Sequence, residues 1–86
     1  MNFFSNKKIL IYGLGKSGLS TYKFLKNKNK IHLYDDYQSK IKDKNIRKKI
    51  INFRKITNIK FDRIILSPGI DINDCKLSKF LKKNLK

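Results

Sequence analysis

The sequence has a single cysteine, a single proline and no glutamate among its 86 residues. The lone Cys75 excludes a disulfide within the chain, and the absence of a CxxC pair or a Cys/His cluster argues against a metal site. Such cysteine usage is typical of a reducing compartment, so we expect a cytoplasmic protein. The longest apolar run is far shorter than the roughly 20 residues of a membrane-spanning helix. The first residues, MNFFSNKK, lack the apolar core of a signal peptide, so neither a membrane partner nor export is expected.

Negative charge is scarce, because 22 Lys and Arg residues stand against 6 Asp residues and give a formal net charge of +16. Such an excess would suggest nucleic acid or an anionic membrane as the partner. Nearly all of the basic residues are lysines, however, interspersed with Asn and Ile along the whole chain, a composition typical of an A/T-rich genome. Nucleic-acid readers rely on arginine and on aromatic side chains that stack on bases, and neither pattern stands out. We therefore expect a solvated basic surface and no nucleic-acid partner.

A run of apolar residues leads into a glycine-rich turn in the segment ILIYGLGKSGLSTYKFL, residues 9–25. Residues 7–12 are predicted to form a strand buried on both faces, because the apolar run is continuous and partly β-branched. The turn Gly13–Gly18 ends this strand. Apolar residues then recur at helical intervals over residues 17–27, which predicts an amphipathic helix. Its inward-facing residues are Leu19, Tyr22 and Leu25.

A second strand is predicted over residues 30–36, KIHLYDD. Strand, turn, helix and strand form a βαβ unit, which makes the first two strands parallel neighbours. A chain of 86 residues fits one small domain. The predicted fold is therefore α/β, with a Rossmann-like parallel sheet and flanking helices. In the second strand Ile31 and Leu33 face one side of the sheet, and His32 and Tyr34 face the other.

The remaining chain carries one clear strand and one amphipathic segment. Residues 37–60 are rich in Lys and Asn, and within them IRKKIINF, residues 46–53, fits a short helix or a strand. Residues 64–66 are predicted to form a buried strand that Ser67–Gly69 ends, since proline cannot continue a central strand. Residues 75–86 have helical periodicity. Leu77, Phe80 and Leu81 share its apolar face.

The GxGxxG spacing of the turn suggests a phosphate site. Gly13 permits the tight turn, Gly15 lets the backbone approach a phosphate, and Gly18 lets the helix pack on the strand. The helix N-terminus then presents amide groups and a favourable dipole to the anion. A dinucleotide-type site also needs an acid about 20 residues further on, at the end of the second strand, and Asp35 meets this requirement, followed by Asp36. The alternative is a turn with purely steric duties.

Other candidate residues flank the same crevice. The GKS sequence is not a P-loop, because Leu10 occupies the position where that motif needs its first glycine. Lys16 and Ser17 are better suited to contact a diphosphate from the turn. Ser67–Gly69 follows a strand and borders the crevice, or it simply ends the strand. His32 has no nucleophile or acid at triad-like placement and is predicted to be structural, so no catalytic residue is assigned.

The motifs together resemble the N-terminal domain of the Mur ligases, with the D-glutamate-adding members as the most similar branch. The resemblance is carried by GLGKSGLS at residues 13–20, HLYDD at 32–36 and FDRIILSPGI at 61–70. It covers most of the chain apart from residues 38–60. GLGxSGLS and SPG together are fairly specific, whereas GxGxxG alone is not.

The resemblance implies a Rossmann-like domain over residues 1–86 that holds the UDP part of a peptidoglycan precursor, UDP-N-acetylmuramoyl-L-alanine. It implies that the glycine turn contacts the diphosphate and that the two acids flank uracil and ribose. One departure is that the family often has a hydroxyl residue and arginine after the strand-end acid, where this chain has Asp36 and Tyr37. The candidate binding residues are Gly13, Leu14, Gly15, Lys16, Ser17, Gly18, Asp35, Asp36, Ser67, Pro68 and Gly69.

The ligases of this family continue into a central ATP-binding domain and a C-terminal domain, and the motifs of neither are present in these 86 residues. We therefore expect a fragment or a truncated product that is inactive alone and has no cofactor of its own. ATP and Mg²⁺ belong to the full-length ligase, whose missing domains would act in cis or as a separate chain. The rival hypothesis is an NAD-binding Rossmann module of an oxidoreductase or a ligand-sensing regulator. The Ser67–Gly69 sequence favours the ligase, because the dinucleotide fingerprint gives it no comparable role.

Overall fold

A computed structural model describes residues 6–84, in which a parallel sheet is combined with short helices. The strands are β1 (Lys8–Tyr12), β2 (Lys30–Tyr34) and β3 (Arg63–Leu66). The helices are α1 (Lys16–Leu25), α2 (Lys44–Lys49), α3 (Phe53–Thr57) and α4 (Ser78–Asn84), and a 3₁₀ turn covers Gln38–Lys40. The predicted C-terminal segment is thus helical only from Ser78, and its last two positions, 85 and 86, lie outside the described residues.

The described strands form one parallel sheet in the order β2-β1-β3. This confirms the α/β class and the prediction that the first two strands are parallel neighbours. In the register, Tyr12 pairs with Tyr34 on one side and with Leu66 on the other. The last residues of all three strands therefore lie in one row, and the loops that follow them leave from the same edge of the sheet.

The central strand β1 is buried on both faces, as predicted. Ile9 and Ile11 belong to the apolar cluster that includes Tyr22 and Leu25 of α1. Leu10 and Tyr12 belong to the opposite cluster, which includes the fully buried Leu77, just before α4, and Leu81, within it. The alternation predicted for β2 is confirmed as well, because Leu33 lies in the first cluster and Tyr34 in the second. Helices on both faces, α1 and α2 on one and α3 and α4 on the other, thus enclose β1 and fix the start of the turn that follows it.

The strand β3 differs from the prediction, because its residues are half-buried rather than buried. It is the edge strand of the described sheet, so one side of its backbone meets no other described strand. The helix α1 also has different bounds from those predicted. It begins at Lys16, inside the glycine motif, and ends at Leu25, with turns over the following residues.

The segment over residues 37–60 contains two short helices with side-chain caps. Asp43 accepts hydrogen bonds from the amides of Asn45 and Ile46 at the start of α2, and Asn52 accepts one from Lys55 at the start of α3. Such N-caps satisfy amides that have no partner within the helix. The stretch 46–53, predicted as a helix or a strand, contains the end of α2, the start of α3 and between them an isolated parallel bridge from Ile50 to Leu33.

Candidate functional site

The candidate site lies where the three strands end. The backbone ladder continues one step beyond the strands, because Gly13 N donates to Tyr34 O at 2.9 Å and Ser67 N donates to Tyr12 O at 2.9 Å. Gly13, Asp35 and Ser67 are the residues that immediately follow the paired row. The structure thereby brings the glycine turn, the acids and the Ser67–Gly69 turn to one edge, as expected for the ligand crevice of an open α/β sheet.

Two glycines of the turn are enclosed by neighbouring backbone and side chains. Gly13 has a φ of +98°, and a Cβ added there would lie 2.5 Å from Cβ of Ser67. A Cβ added at Gly18 would overlap the carbonyl oxygen of Gly13. The first glycine is therefore required by both backbone conformation and space, and Gly18 lets α1 approach the end of β1.

The stretch Gly15–Ser17 is open instead. A Cβ added at Gly15 would have no other residue's atom within 4 Å apart from its chain neighbours, and all three residues are exposed. Gly15 is the N-cap of α1 but supplies no side-chain cap, and the first turn of this ten-residue helix contains no acid. Amides at such a helix start attract an anion, and Lys16 adds a positive charge beside them.

Asp35 links the glycine turn to the turn after β2. Its Oδ2 accepts a hydrogen bond from the amide of Leu14 at 2.7 Å, and its Oδ1 accepts one from the amide of Tyr37 at 2.7 Å. The side chain of Leu14 is only 2% exposed and packs in the core, so its contribution to the crevice is backbone. Both carboxylate oxygens of Asp35 keep lone pairs for a further donor.

Asp36 is held by groups from distant parts of the chain. Its Oδ1 accepts a hydrogen bond from the hydroxyl of Tyr12 at 2.6 Å, and its Oδ2 accepts one from the amide of Lys76 at 3.3 Å. The Tyr12 hydroxyl in turn accepts from the amide of Leu77 at 3.4 Å. Burial and the hydrogen bond to Asp36 raise the pKa of Tyr12 far above its usual value. The phenol therefore stays protonated and donates to the carboxylate.

The Ser67–Gly69 turn lies beside the glycine turn and forms the third side of the crevice, with the glycine turn and the turn after β2 as the other two. Ser67 is half-buried against Gly13, and its carbonyl oxygen accepts a hydrogen bond from Ile70 N at 3.0 Å. Pro68 and Gly69 are exposed, and a Cβ added at Gly69 would meet open space. Backbone at this position is accessible to a ligand that lies in the crevice.

A cleft of about 340 Å³ lies next to this edge. It is lined by Asp36, Tyr37, Asp74, Cys75 and Lys76. The ring of Tyr37 is 66% exposed, and the ammonium group of Lys40 lies 5.2 Å from its centre. No sequence pattern indicates Asp74, Cys75 and Lys76 as cleft residues, because only the path of the chain into α4 brings them to the end of β2.

His32 lies on β2, away from this edge, and its surroundings are those of a packed structural side chain. Its ring packs edge-on against Phe61 at a centroid distance of 5.4 Å, and its Nδ1 is buried with no hydrogen-bond partner in the described structure. Burial lowers the pKa of His32, and the charges of Lys30 and Lys8 lower it further. Within residues 6–84, no group of His, Cys, Asp or Glu side chains is arranged to hold a metal ion. No helix in that range has the length and apolar character needed to cross a bilayer.

Comparison with known proteins points to one family. The family model "Mur ligase MurD-like, N-terminal domain" matches residues 7–86. The UDP-N-acetylmuramoylalanine--D-glutamate ligase of Rickettsia prowazekii (strain Madrid E) is 37% identical over 78 residues, covering 84% of this chain and 17% of the relative. The ligase of the same name from Rickettsia conorii (strain ATCC VR-613 / Malish 7) is 33% identical, covering 84% of this chain and 15% of that relative. The chain thus spans less than a fifth of the length of these relatives. No solved structure matches the chain.

Proposed function

The chain belongs to the Mur ligase family as a MurD-like N-terminal domain, and from this premise we propose that it binds UDP-N-acetylmuramoyl-L-alanine. The proposal places the chain in a D-glutamate-adding ligase of peptidoglycan biosynthesis, in the cytoplasm. The names of its relatives supply the substrate class. The arrangement of the crevice supports a role in binding that substrate.

The observation that carries the proposal is the open start of α1. Gly15 meets empty space, and α1 has neither a side-chain cap nor an acid in its first turn. An uncapped helix start leaves up to four amides without helical partners, and a diphosphate provides the acceptors that they lack. We assign the diphosphate to the stretch Gly15–Ser17, with the ammonium group of Lys16 as a point charge and the hydroxyl of Ser17 as a donor.

The nucleoside end of the precursor is assigned to the neighbouring loops. Asp35 already has both oxygens fixed by backbone amides, and this fixed carboxylate retains lone pairs for ribose hydroxyls. The exposed Pro68 and Gly69 let the ligand approach backbone from the β3 side. The three loops would thus hold the precursor across the end of β1, the central strand.

Catalysis is assigned to parts of the ligase beyond this domain. ATP and Mg²⁺ would be bound by the other domains of the ligase, in cis or on a separate chain, where ATP would activate the precursor's carboxylate for attack by the amine of D-glutamate. The residues of this chain would bind and orient the precursor and would perform no chemical step. The proposal therefore expects no phosphate release from ATP by the 86-residue chain alone.

The rival hypothesis, an NAD-binding module, also explains the glycine turn and Asp35. A titration of the purified chain with UDP-N-acetylmuramoyl-L-alanine and, separately, with NAD distinguishes the two. We expect tighter binding of the UDP precursor, with NMR shift changes at Gly15–Ser17 and Gly69. Tighter binding of NAD at the same residues would overturn the proposal.

A matched pair of lysine variants tests the assigned diphosphate position. Lys16 begins α1, and Lys23 lies in its last turn. Replacing either residue by Ala therefore removes one positive charge from the same helix. Lys16→Ala should weaken binding of the UDP precursor by about tenfold, the effect of one charge-assisted contact. Lys23→Ala should leave affinity close to that of the parent. Equal losses in the two variants would indicate only general attraction by the net charge.

A further inference from the structure

The hydrogen bonds of Asp36 join it to β1 and to the residue Lys76 before α4. Its side chain accepts from the hydroxyl of Tyr12 and from the amide of Lys76, and its carbonyl oxygen accepts from the ammonium group of Lys76 at 3.2 Å. Each partner is remote in sequence, since Tyr12 precedes Asp36 by 24 positions and Lys76 follows it by 40. The contacts with Lys76 therefore exist only when the segment before α4 is packed against the sheet.

These contacts bind the two backbone amides at the entry to α4. Lys76 and Leu77 immediately precede α4, and their amides donate to the Asp36 carboxylate and to the Tyr12 hydroxyl. These contacts differ from those of a side-chain N-cap, which accepts from the second or third amide inside the helix. Here the acceptors come from the ends of two neighbouring strands. The negative charge of Asp36 at this position is also favourable for the dipole of the helix.

The two side chains act as one unit. The 2.6 Å distance from the Tyr12 hydroxyl to Oδ1 of Asp36 is typical of a hydrogen bond to a charged acceptor. Tyr12 is fully buried, and its ring packs edge-on against Tyr34 at a centroid distance of 5.6 Å. The phenol therefore holds a fixed position, and its hydrogen bond fixes the orientation of the Asp36 carboxylate.

The segment that these contacts restrain is the third side of the crevice. It begins at Ser67, which packs against Gly13 and continues the ladder to Tyr12. It ends at Leu77, which is restrained by the Tyr12 hydroxyl. Residues 67–77 are thus attached to β1 at both ends, with the exposed Pro68 and Gly69 between the two attachments.

We propose that Asp36 and Tyr12 form a tertiary cap on α4 which positions residues 67–77 beside the ligand crevice, so that Asp36 is a positioning residue and makes no contact with the nucleotide. The proposal adds a positioning residue to the proposed function, and only the identity of its ligand rests on that function. It departs from the role at uracil and ribose that the family resemblance implies for this position. Its basis is the identity of the partners: the oxygens of Asp36 accept from a buried phenol and from the amide of Lys76 before α4, whereas those of Asp35 accept from amides of the two turns beside the crevice.

The first experiment needs no ligand. Amide hydrogen exchange of the 86-residue chain is measured by NMR for the parent, Tyr12→Phe, Asp36→Asn and the control Asp74→Asn. Asp74 lines the same cleft as Asp36 but is exposed. Its Asn variant removes the same charge and so controls for the electrostatic effect of the substitution. Exchange at Leu77 should rise about fivefold in Tyr12→Phe, and exchange at Lys76 by a similar factor in Asp36→Asn, as expected for one lost hydrogen bond. Unchanged exchange in both variants would exclude the cap.

The second experiment separates positioning from contact. The phenol of Tyr12 is fully buried, so Tyr12→Phe cannot remove a contact with the ligand. The proposal predicts that Tyr12→Phe and Asp36→Asn each weaken binding of the UDP precursor by about fivefold, and that the double variant is no weaker than either single one. A loss confined to Asp36→Asn would assign a ligand contact to Asp36 and overturn the proposal.

The two experiments distinguish failure of the proposed function from failure of the proposed cap. If the parent binds no UDP precursor, the proposed function fails, while the exchange rates still decide whether the cap exists. Because Tyr12 is part of the core, Tyr12→Phe could lower stability. The Asp36→Asn variant, at a half-buried position, keeps an oxygen for Tyr12, so exchange at Lys76 in this variant still tests the cap with less disturbance of the core.

Discussion

The glycine turn after β1 has two halves with opposite surroundings. In the closed half, Gly13 and Gly18 are packed so tightly that a single added carbon would meet Ser67 or the carbonyl oxygen of Gly13. In the open half, Gly15 faces empty space and leads into the uncapped start of α1. The same residue type, within one motif of six residues, therefore serves packing at two positions and leaves room for a ligand at the third.

This contrast separates the steric explanation of the motif from the functional one. A turn with purely steric duties needs Gly13 and Gly18, but it has no use for a glycine at position 15. Substitutions in the closed half should reduce the stability of the fold, whereas substitutions in the open half should reduce affinity and leave the fold intact. Each half thus has its own measurement, and a mixture of the two effects would remove the distinction.

The largest effect is expected in the closed half, from Gly18→Ala. The new methyl group would overlap the carbonyl oxygen of Gly13 and push α1 away from β1. Overpacking of this kind costs about 1–3 kcal/mol and occasionally more, and here the obstacle is backbone, so a loss of about 3 kcal/mol is expected. Urea unfolding of the variant and the parent measures it. A variant as stable as the parent would show that the turn can accommodate the added methyl group and would contradict this account of Gly18.

Asp35→Asn tests the junction between the glycine turn and the turn after β2. The amide can accept from only one of Leu14 N and Tyr37 N, and its NH₂ group would face the other donor. A buried or half-buried donor left without a partner costs about 1–3 kcal/mol. The expected result is a loss of that size in urea unfolding, together with weaker binding of the UDP precursor. Loss of affinity with no loss of stability would assign Asp35 to the ligand alone.

The smallest effect is expected from His32, which lies outside both halves of the turn. Burial lowers its pKa in the folded state, so the unfolded chain binds a proton more readily than the folded one. Its contribution is present above the unfolded pKa of about 6.5 and is lost as the pH falls below that value. Unfolding free energies from pH 8 to 5 should decline less in His32→Gln than in the parent. Parallel curves would contradict this account of the buried imidazole.

Much of the architecture could be predicted from the sequence because it depends on local patterns. The continuous apolar run of β1, the alternation in β2 and the spacing of apolar residues in α1 each reflect burial of one or two faces. The half-buried state of β3 could not be predicted, because it depends on the position of the strand at the edge of the sheet. The capped starts of α2 and α3 did carry a signal, in Asp43 and Asn52, that the apolar pattern alone does not reveal.

The candidate site follows the same division. The residues that gather at the carboxyl edge could be placed from the ends of predicted strands, because parallel strands end at one side of a sheet. The partners of the two acids could not. Asp35 binds backbone amides that only the folded turn presents, and Asp36 meets Lys76 only because α4 packs beside β1. Residue type and spacing thus indicate a candidate site, while the partners of each carboxylate require the tertiary structure.

The most direct test of the central claim is a comparison of stability and affinity in Gly15→Val. The side chain would project into the space that we assign to a phosphate, where its Cβ would have no atom of a residue other than its chain neighbours within 4 Å. We predict an unfolding free energy within about 1 kcal/mol of the parent, as for a change at an uncapped helix start. We also predict that binding of UDP-N-acetylmuramoyl-L-alanine falls by more than about tenfold, since the backbone can no longer approach the phosphate. A variant that folds and binds as the parent does would contradict the account and leave the turn with a steric role alone.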